Sequence, residues 1–324
     1  MAKTPFLADL HSRFGLPRSQ VAGLAAQATG HDVETIERLA RGYDNEVHRV
    51  TLTGELVVYV RIRRYGEGTQ EQEAWAMDLA RAGGVAVPDV LLVDAASENA
   101  DGHPVMVVAA ARGQQLEEVL AAVTDQQRHQ LLSNVGHELA RLHSIDMPGV
   151  WRPDHDGQWP DPVELRAGFA AKRRGEADQL TAAGMTSAEV NRMMALLEVS
   201  PDPPGTGFVL CHGDVSSEHI FVDSTLQVSG LIDWGMWHAG SRTGELAGVA
   251  NSFGWNNLQP ILQGYGHGLP SNGDTLLRQL ATTLAVQLIG HIAHDVAIED
   301  SDGAASNVAA VRQALRVLDD TGPS

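Results

Sequence analysis

The stretch CHGDVSSEHIFVDSTLQVSGLIDWG, residues 211–235, decides how the rest of this chain is interpreted. It opens on an HGD turn that contains Asp214 and closes on a second aspartate, Asp233, with His219 between them. Two short β-rich runs precede Asp233, and the polar segment 223–225 joins them. This pattern predicts a β-hairpin. Such a hairpin would hold the two aspartates and the histidine at one end of its strand pair.

A cluster of this kind suits phosphoryl transfer. That chemistry needs one carboxylate to accept the proton of a hydroxyl group, and further ligands to hold a metal ion on nucleotide phosphates. The alternative without chemistry is an acidic hairpin whose aspartates cap turns.

Composition limits the class of protein. The chain has 324 residues, which is enough for two lobes of ordinary domain size, and its 43% hydrophobic and 20% charged residues are typical of soluble globular proteins. A net charge of −18 argues against nucleic acid and anionic membranes as partners. No apolar run approaches the ~18 residues of a membrane span, so neither a span nor a signal peptide is expected. The single cysteine, Cys211, fits a reducing cytoplasm.

Hydrophobic spacing predicts a β-rich first third. Residues 1–40 read as helical, followed by a hairpin of two strands around the Thr53-Gly54 turn. A helix is expected over 70–82 and a strand over 105–109.

The remainder reads as mainly helical. A long loop rich in Pro, Gly, Asp and Trp over 148–162 is expected to be structured. Apolar spacing and capping residues predict helices at 125–143, 162–180, 187–198, 243–253, 274–299 and 307–318, with a strand at 208–211.

The segments HGDVSSEH (212–219) and LIDWG (231–235) resemble those of the aminoglycoside phosphotransferase family. That family of small-molecule kinases carries HGDxxxxN, then a hairpin, then IDW or IDF. Histidine in place of the asparagine resembles the macrolide phosphotransferase branch. The resemblance implies an α+β, bilobal protein-kinase-like fold. A small β-rich N-terminal nucleotide-binding lobe would cover 1–110, and a larger, mainly helical catalytic and acceptor-binding lobe would cover 111–324.

The same resemblance assigns the chemistry of the 211–235 segment. Asp214 is expected to be the catalytic base and Asp233 a ligand of Mg²⁺. His219 has three interpretations: a metal ligand that tolerates Mn²⁺, a hydrogen-bond partner that orients Asp214, or the remnant of a weakened metal site.

For the nucleotide site the resemblance implies a cation on the third strand and a glutamate on the following helix. Arg61 is the first choice and Arg63 the second. Strand alternation puts both on one face, so the sequence does not separate them cleanly. Glu73 would pair with the arginine, and the connection before the hairpin would contribute Tyr43 and Asn45. Glu67 and Glu71 compete with Glu73. The alternatives without function are an edge-strand arginine facing solvent and an exposed helix charge.

Four acidic residues, Glu245, Asp295, Glu299 and Asp300, are candidates for binding the acceptor. GSRTGELA at 240–247 stands where the family has GDPxxDLA, and Glu245 would substitute for its second acidic residue. Asp295 and Glu299 are four apart on a predicted helix, so together they could contact one ligand amine. A solvated helix end is the alternative for that pair.

The leading hypothesis for function is a cytoplasmic antibiotic O-phosphotransferase. It would transfer the γ-phosphate of ATP or GTP to a hydroxyl of a macrolide-, aminoglycoside- or nucleoside-type antibiotic, as a monomer or homodimer. Its partners would be the nucleotide and the acceptor, with neither nucleic acid nor membrane. A metabolic kinase for a sugar or amino alcohol, and a kinase-like binding protein with weak turnover, are the alternatives. A protein kinase is disfavoured because HRD, DFG and APE segments are missing from the sequence.

Overall fold

The computed structural model describes residues 15–39, 44–65, 69–199, 207–266 and 273–321. Tyr43 and Glu67, both named for the nucleotide site, lie outside these residues. The strands are β1 (Val33–Leu39), β2 (Asn45–Leu52), β3 (Val57–Arg63), β4 (Val90–Ser97), β5 (His103–Ala109), β6 (Gln114–Gln115), β7 (Asp146–Met147), β8 (Phe208–Cys211), β9 (Ile220–Val222), β10 (Val228–Leu231) and β11 (His238–Gly240). The helices are α1 (Arg18–Thr29), α2 (Gln70–Ala82), α3 (Leu116–Leu120), α4 (Asp125–Leu142), α5 (Pro162–Arg174), α6 (Ala177–Ala182), α7 (Ser187–Leu196), α8 (Arg242–Phe253), α9 (Trp255–Tyr265), α10 (Gly273–Ala297) and α11 (Ser301–Asp320).

The chain divides into two compact units. The first runs to Val119 and also contains Glu218–Gly235, and the second contains Leu120–Ser217 and the chain from Met236 onward. The segment 211–235 therefore contributes Asp214 to the second unit, and His219 and Asp233 to the first. The nucleotide-binding and acceptor-binding roles expected of the two predicted lobes stay predictions.

The first unit is built on a five-stranded antiparallel sheet with the order β1-β2-β3-β5-β4. The predicted hairpin is confirmed: β2 pairs with β3, and Gly54 takes a φ of 83° in the connection. Alternate residues of β2 are buried, as are Val58 and residues 60–63 of β3, and helix α1 packs against the apolar ones. Leu24, Val60 and Val107 are among the residues of this core.

Strand β1 corrects the sequence prediction that residues up to 40 are helical. Helix α1 ends at Gly30, which adopts a left-handed conformation, and the chain then pairs with β2. Val33, Ile36 and Leu39 recur every third residue, which imitates a helical face. Hydrogen bonding to β2 overrides that periodicity, as is common where tertiary pairing competes with local preference.

A second sheet of the first unit, in the order β10-β9-β6, contains the hairpin predicted from the 211–235 segment. The sheet is closely packed at Gly113, whose φ is 91°. A Cβ atom there would overlap the backbone carbonyl of Val222. Glycine is required because both the backbone conformation and the space exclude a side chain.

The second unit is mainly helical. Helix α4 begins after an N-cap residue, Thr124, whose side chain accepts a hydrogen bond from Gln127 N–H in a capping box. Helix α9 packs against α4 at close range, since Cβ atoms at Gly136 or Gly264 would overlap the backbone of the opposite helix. Helix α9 was not predicted from the sequence, because Pro260 interrupts its helical pattern.

The other predicted helices are found with small changes of boundary. The helix expected at 162–180 is divided at Gly175 into α5 and α6, and the last helix starts at Ser301 rather than 307. A short sheet in the order β11-β8-β7 completes the second unit. Among the residues that the structure describes, no helix is long and apolar enough to cross a membrane.

Candidate active site

In the first unit, Arg61 lies at the centre of a charged cluster. Its strand, β3, lies inside the sheet and not at an edge, and its side chain is buried, so the solvent-facing alternative does not hold. Its Nη1 is hydrogen-bonded to Glu73 Oε1, and its Nη2 lies 3.5 Å from Asp233 Oδ1. Burial works to lower the pKa of Arg61, but the carboxylates of Glu73, Asp233 and Asp44 raise it above its usual value. The guanidinium is therefore a fixed positive charge.

The structure distinguishes Arg61 from Arg63 and Glu73 from Glu71. Arg63 also approaches Glu73, with Nη2 at 3.7 Å from Oε2, but the contact with Asp233 belongs to Arg61. Glu73 is buried in the cluster, whereas Glu71 is exposed. Asn45 accepts a hydrogen bond of 3.2 Å from the side chain of Gln70. The roles of these residues toward a nucleotide stay predictions.

The β9–β10 hairpin brings His219 and Asp233 together in the first unit. His219 Nε2 lies 3.7 Å from Asp233 Oδ2, and Ile232 N–H donates to His219 O at 2.9 Å. Asp233 has a φ of 65°, a left-handed conformation that aspartate tolerates better than most residues. This turn points one carboxylate oxygen toward Arg61 and the other toward His219. A half-exposed carboxylate beside an imidazole is a donor set that fits a divalent cation such as Mn²⁺, and fits Mg²⁺ less closely.

In the second unit, the HGD turn follows β8 and holds Asp214 with its side chain exposed. Gly213 has a φ of 84°, and a Cβ atom there would overlap the carbonyl oxygen of Met236. Asp214 N–H lies 3.3 Å from His212 Nδ1. The turn is therefore specified by glycine and by local hydrogen bonds.

Glu245 lies beneath this turn. It is only 6% exposed and accepts hydrogen bonds from the backbone N–H groups of Gly213 at 2.6 Å and His212 at 3.0 Å. His143 Nε2 donates to the same carboxylate at 3.0 Å, and His143 Nδ1 lies 2.9 Å from the hydroxyl of Tyr265. The contact of Glu245 with an acceptor stays a prediction, but these bonds give it a second role in holding the turn.

The other acceptor candidates lie at the end of α10. Asp295 Oδ2 accepts a hydrogen bond of 2.7 Å from Asn307 on α11. Helix α10 ends at Ala297, so Glu299 lies beyond it with a φ of 59°, and the two acids are not an i, i+4 pair within a helix. Both line a cleft of about 350 Å³. Their contact with an acceptor stays a prediction.

His291, whose pKa is influenced by Asp214, and Arg173, which acts on the same imidazole, were not predicted from the sequence. Burial lowers the pKa of His291, Arg173 acts in the same direction, and the carboxylates of Asp295 and Asp214 oppose them. His291 and Arg173 come from α10 and α5, which are distant in sequence, and neither carries a motif that could have identified it.

Comparison with known proteins places the chain in a family. The family model described as "Phosphotransferase enzyme family" matches residues 35–279. No curated protein matches the sequence.

Solved structures with the same fold include a thermostable mutant of aminoglycoside phosphotransferase APH(4)-Ia in ternary complex with ADP and hygromycin B. It is 14% identical, with 92% of this chain and 98% of that chain covered and a TM-score of 0.68. The GDP complex of a mutant aminoglycoside 2'-phosphotransferase IIIa is 14% identical, with 93% and 98% covered and a TM-score of 0.66. Macrolide 2'-phosphotransferase MphH from Brachybacterium faecium is 19% identical, with 94% and 98% covered and a TM-score of 0.59.

These similarities confirm the protein-kinase-like fold expected from the sequence. The family match covers most of the chain and includes the HGD and IDW segments. The chain belongs to the phosphotransferase enzyme family, and it is a small-molecule kinase that transfers phosphate to a hydroxyl group.

Proposed function

We propose that this protein is an antibiotic O-phosphotransferase that moves the γ-phosphate of GTP or ATP to a hydroxyl group of a macrolide-type acceptor. The observation that carries the proposal is the position of Arg61, whose guanidinium contacts both Glu73 and Asp233, with His219 beside the latter. A buried arginine that shares two carboxylates forms a rigid site for phosphate groups.

The donor nucleotide would be bound by this cluster. The planar fork of Arg61 presents parallel N–H donors to phosphate oxygens, and Glu73 fixes the direction of the fork from α2. Asn45, the first residue of β2, would also contribute, as would Tyr43, which lies outside the described residues. A fixed, always-charged donor lowers the cost of aligning the triphosphate before reaction.

Asp233 and His219 would hold the divalent cation. A bound cation would neutralise negative charge on the nucleotide phosphates. Asp233 provides the hard oxygen that Mg²⁺ prefers, whereas the imidazole nitrogen of His219 favours Mn²⁺. The distance of 3.7 Å between His219 Nε2 and Asp233 Oδ2 supports the binding of one ion by both side chains.

Asp214 would act as the catalytic base. Its carboxylate accepts the proton of the acceptor hydroxyl while the hydroxyl oxygen bonds to the γ-phosphorus. The bond between the γ-phosphorus and the bridging oxygen breaks, and the nucleoside diphosphate leaves with that electron pair. Because this chemistry is mostly positioning and charge stabilisation, the rigidity of the HGD turn matters as much as the carboxylate.

The placement of the acidic candidates favours an acceptor with few ammonium groups. Glu245 is buried and already bonded to the turn, so it offers little to a polycation such as an aminoglycoside. Asp295 and Glu299 line one cleft, and the Asp295 carboxylate already accepts a hydrogen bond from Asn307, so this pair also offers little to a polycation. A macrolide-type acceptor agrees with this arrangement better than an aminoglycoside-type or nucleoside-type acceptor.

The test is acceptor phosphorylation followed by mass spectrometry. Purified protein is incubated with GTP or ATP, and with Mg²⁺ or Mn²⁺, against macrolides, aminoglycosides, nucleoside antibiotics, sugars and amino alcohols. A gain of one phosphate on a macrolide, absent from the Asp214→Asn variant, supports the proposal. A gain confined to sugars or amino alcohols would identify the protein as a metabolic kinase and overturn the antibiotic assignment.

A further inference from the structure

Trp151, in the loop after β7, adopts an unusual backbone conformation. Its φ is 66°, in the left-handed region that bulky residues rarely occupy. Such a conformation costs on the order of 1–3 kcal/mol and persists only where surrounding contacts impose it. The indole nevertheless remains 43% exposed, so burial of the ring in the core does not account for the strain.

The surroundings hold this conformation firmly. Trp151 N–H donates to Ala239 O, and Ala239 N–H donates to Trp151 O, each at 2.7 Å, which forms an isolated antiparallel bridge to β11. The next residue, Arg152, donates from Nε to Trp237 O at 2.6 Å. The loop therefore presents an exposed indole from a fixed position rather than from a mobile one.

The indole lies next to the turn that carries Asp214. Its ring is 5.3 Å from the ring of His238, and a Cβ atom at Gly213 would lie 3.1 Å from His238 Nδ1. The backbone carbonyl of Met236 contacts the same glycine, and the Met236 side chain is exposed. We call the side chains of Trp151, His238 and Met236 the aromatic ledge. Within it, the His238 ring lies between the Trp151 indole and Gly213, the residue before Asp214.

The chemistry of the aromatic ledge suits the binding of a ligand whose surface is uncharged and rich in carbon. Burial lowers the pKa of His238, which disfavours the charged form of its imidazole. The guanidinium of Arg152 lies 5.9 Å from the centre of the Trp151 ring and 5.4 Å from that of Trp237. A ligand ammonium approaching these rings would meet a like charge, so cation–π binding of a polycation is disfavoured.

We propose that the aromatic ledge is an acceptor subsite, on which the uncharged, carbon-rich ring face of the acceptor lies while its hydroxyl group reaches Asp214. Stacking on a rigid indole gives affinity without charge pairing. This inference rests on the proposed function and adds to it the residues that would recognise the acceptor.

The experiment compares two ways of removing the indole with a control on the other unit. Trp151→Ala removes the ring and leaves a residue that is still strained at this φ. Trp151→Gly removes the ring and relieves the strain, because glycine adopts this conformation freely. Trp75→Ala removes a similarly exposed tryptophan from α2. Erythromycin and kanamycin serve as probes, with affinity measured by calorimetry and turnover by mass spectrometry.

We expect both Trp151 variants to weaken erythromycin binding about tenfold or more, as for a central aromatic contact, with unchanged nucleotide affinity. The Trp151→Gly variant should at the same time keep or raise the melting temperature, which a purely structural tryptophan would not allow. Trp75→Ala should leave erythromycin affinity unchanged.

Equal erythromycin affinity in the wild type and in Trp151→Gly would show that the aromatic ledge is not an acceptor subsite. Erythromycin turnover by the wild type would still uphold the proposed function. A wild type that phosphorylates kanamycin and does not bind erythromycin overturns the carbon-rich occupant but leaves the transferase activity. A wild type that neither binds nor phosphorylates either compound overturns both proposals.

Discussion

Glu245 accepts a hydrogen bond of 2.6 Å from the backbone N–H of Gly213, the residue that precedes Asp214. Burial works to raise the pKa of Glu245, but the hydrogen bond and charge of His143, the charge of His212 and the Gly213 N–H lower it to about 2. The carboxylate is thus ionised at neutral pH. The position of the proposed base depends on a buried charge in α8.

The first prediction is that Glu245→Gln loses both stability and turnover. Removing the charge leaves two backbone N–H groups and His143 poorly satisfied, which should cost about 2–3 kcal/mol in the free energy of unfolding. Because the HGD turn loosens, kcat should fall tenfold or more while the nucleotide Kd stays unchanged. Denaturant unfolding and steady-state kinetics measure the two effects.

The pH dependence has a definite sign. The folded-state pKa of about 2 lies below the unfolded value of 4.5, so this contribution to stability is present above pH 4.5 and is lost as pH falls toward 2. The stability difference between wild type and Glu245→Gln should therefore shrink below pH 4.5.

Glu46→Gln is the matched control, because Glu46 lies in the first unit and is also buried with a pKa of about 2. It should show the same pH trend in stability with kcat retained; parallel losses of kcat would refute the positioning role.

The second prediction concerns Gly213. Gly213→Ala introduces a left-handed alanine and a Cβ that overlaps Met236 O. Gly184→Ala introduces the same strain at a φ of 88° with open space around it. The control should lose about 1–2 kcal/mol of stability with normal turnover. Gly213→Ala should lose more stability and nearly all turnover. Similar kinetics for the two variants would show that the turn tolerates displacement.

Elements of this structure that are specified by local interactions could be predicted from the sequence, whereas those that depend on contacts distant in the chain could not. The β9–β10 hairpin and α4 are specified locally, by a polar turn and by the Thr124 capping box, and both were predicted. Strand β1 was not, because its apolar residues recur every third position and only its pairing with β2 makes it a strand.

The site shows the same division. The motif around Asp214 identifies residue types, and the family resemblance implies a cation on the third strand. The sequence cannot separate Arg61 from Arg63 there, because strand alternation puts both on one face. Their difference is a contact with Asp233, which is distant in the chain. The aromatic ledge was missed because it depends on a bridge between a loop and β11. No local pattern marks a tryptophan for a left-handed conformation.

The third prediction separates the two arginines. Arg61→Ala should weaken triphosphate binding about tenfold or more, because it removes a desolvated charge that aligns phosphates. Arg61→Lys should keep part of the affinity, since lysine supplies charge without the planar fork. Arg63→Ala should have the smaller effect on nucleotide Kd, measured by calorimetry. A larger loss for Arg63→Ala would mean that the phosphates lie along the other guanidinium.

The final prediction concerns His219, which stands beside Asp233 where most of the resembling family has asparagine. If His219 is a metal ligand, the wild type should work better with Mn²⁺ than with Mg²⁺, because imidazole nitrogen suits Mn²⁺ more. His219→Asn replaces the nitrogen with an amide oxygen and should retain activity while shifting the preference toward Mg²⁺. His219→Ala supplies no donor and should lose activity with both ions.

The dependence of kcat on metal concentration tests whether His219 is a metal ligand. The half-saturating Mg²⁺ concentration should fall in His219→Asn and rise in His219→Ala relative to wild type. Asp233→Ala should raise it further, because the carboxylate is the stronger ligand for a hard cation. Identical titrations for the Asn and Ala variants would remove His219 from the metal site and leave it as a neighbour that orients the Asp233 carboxylate.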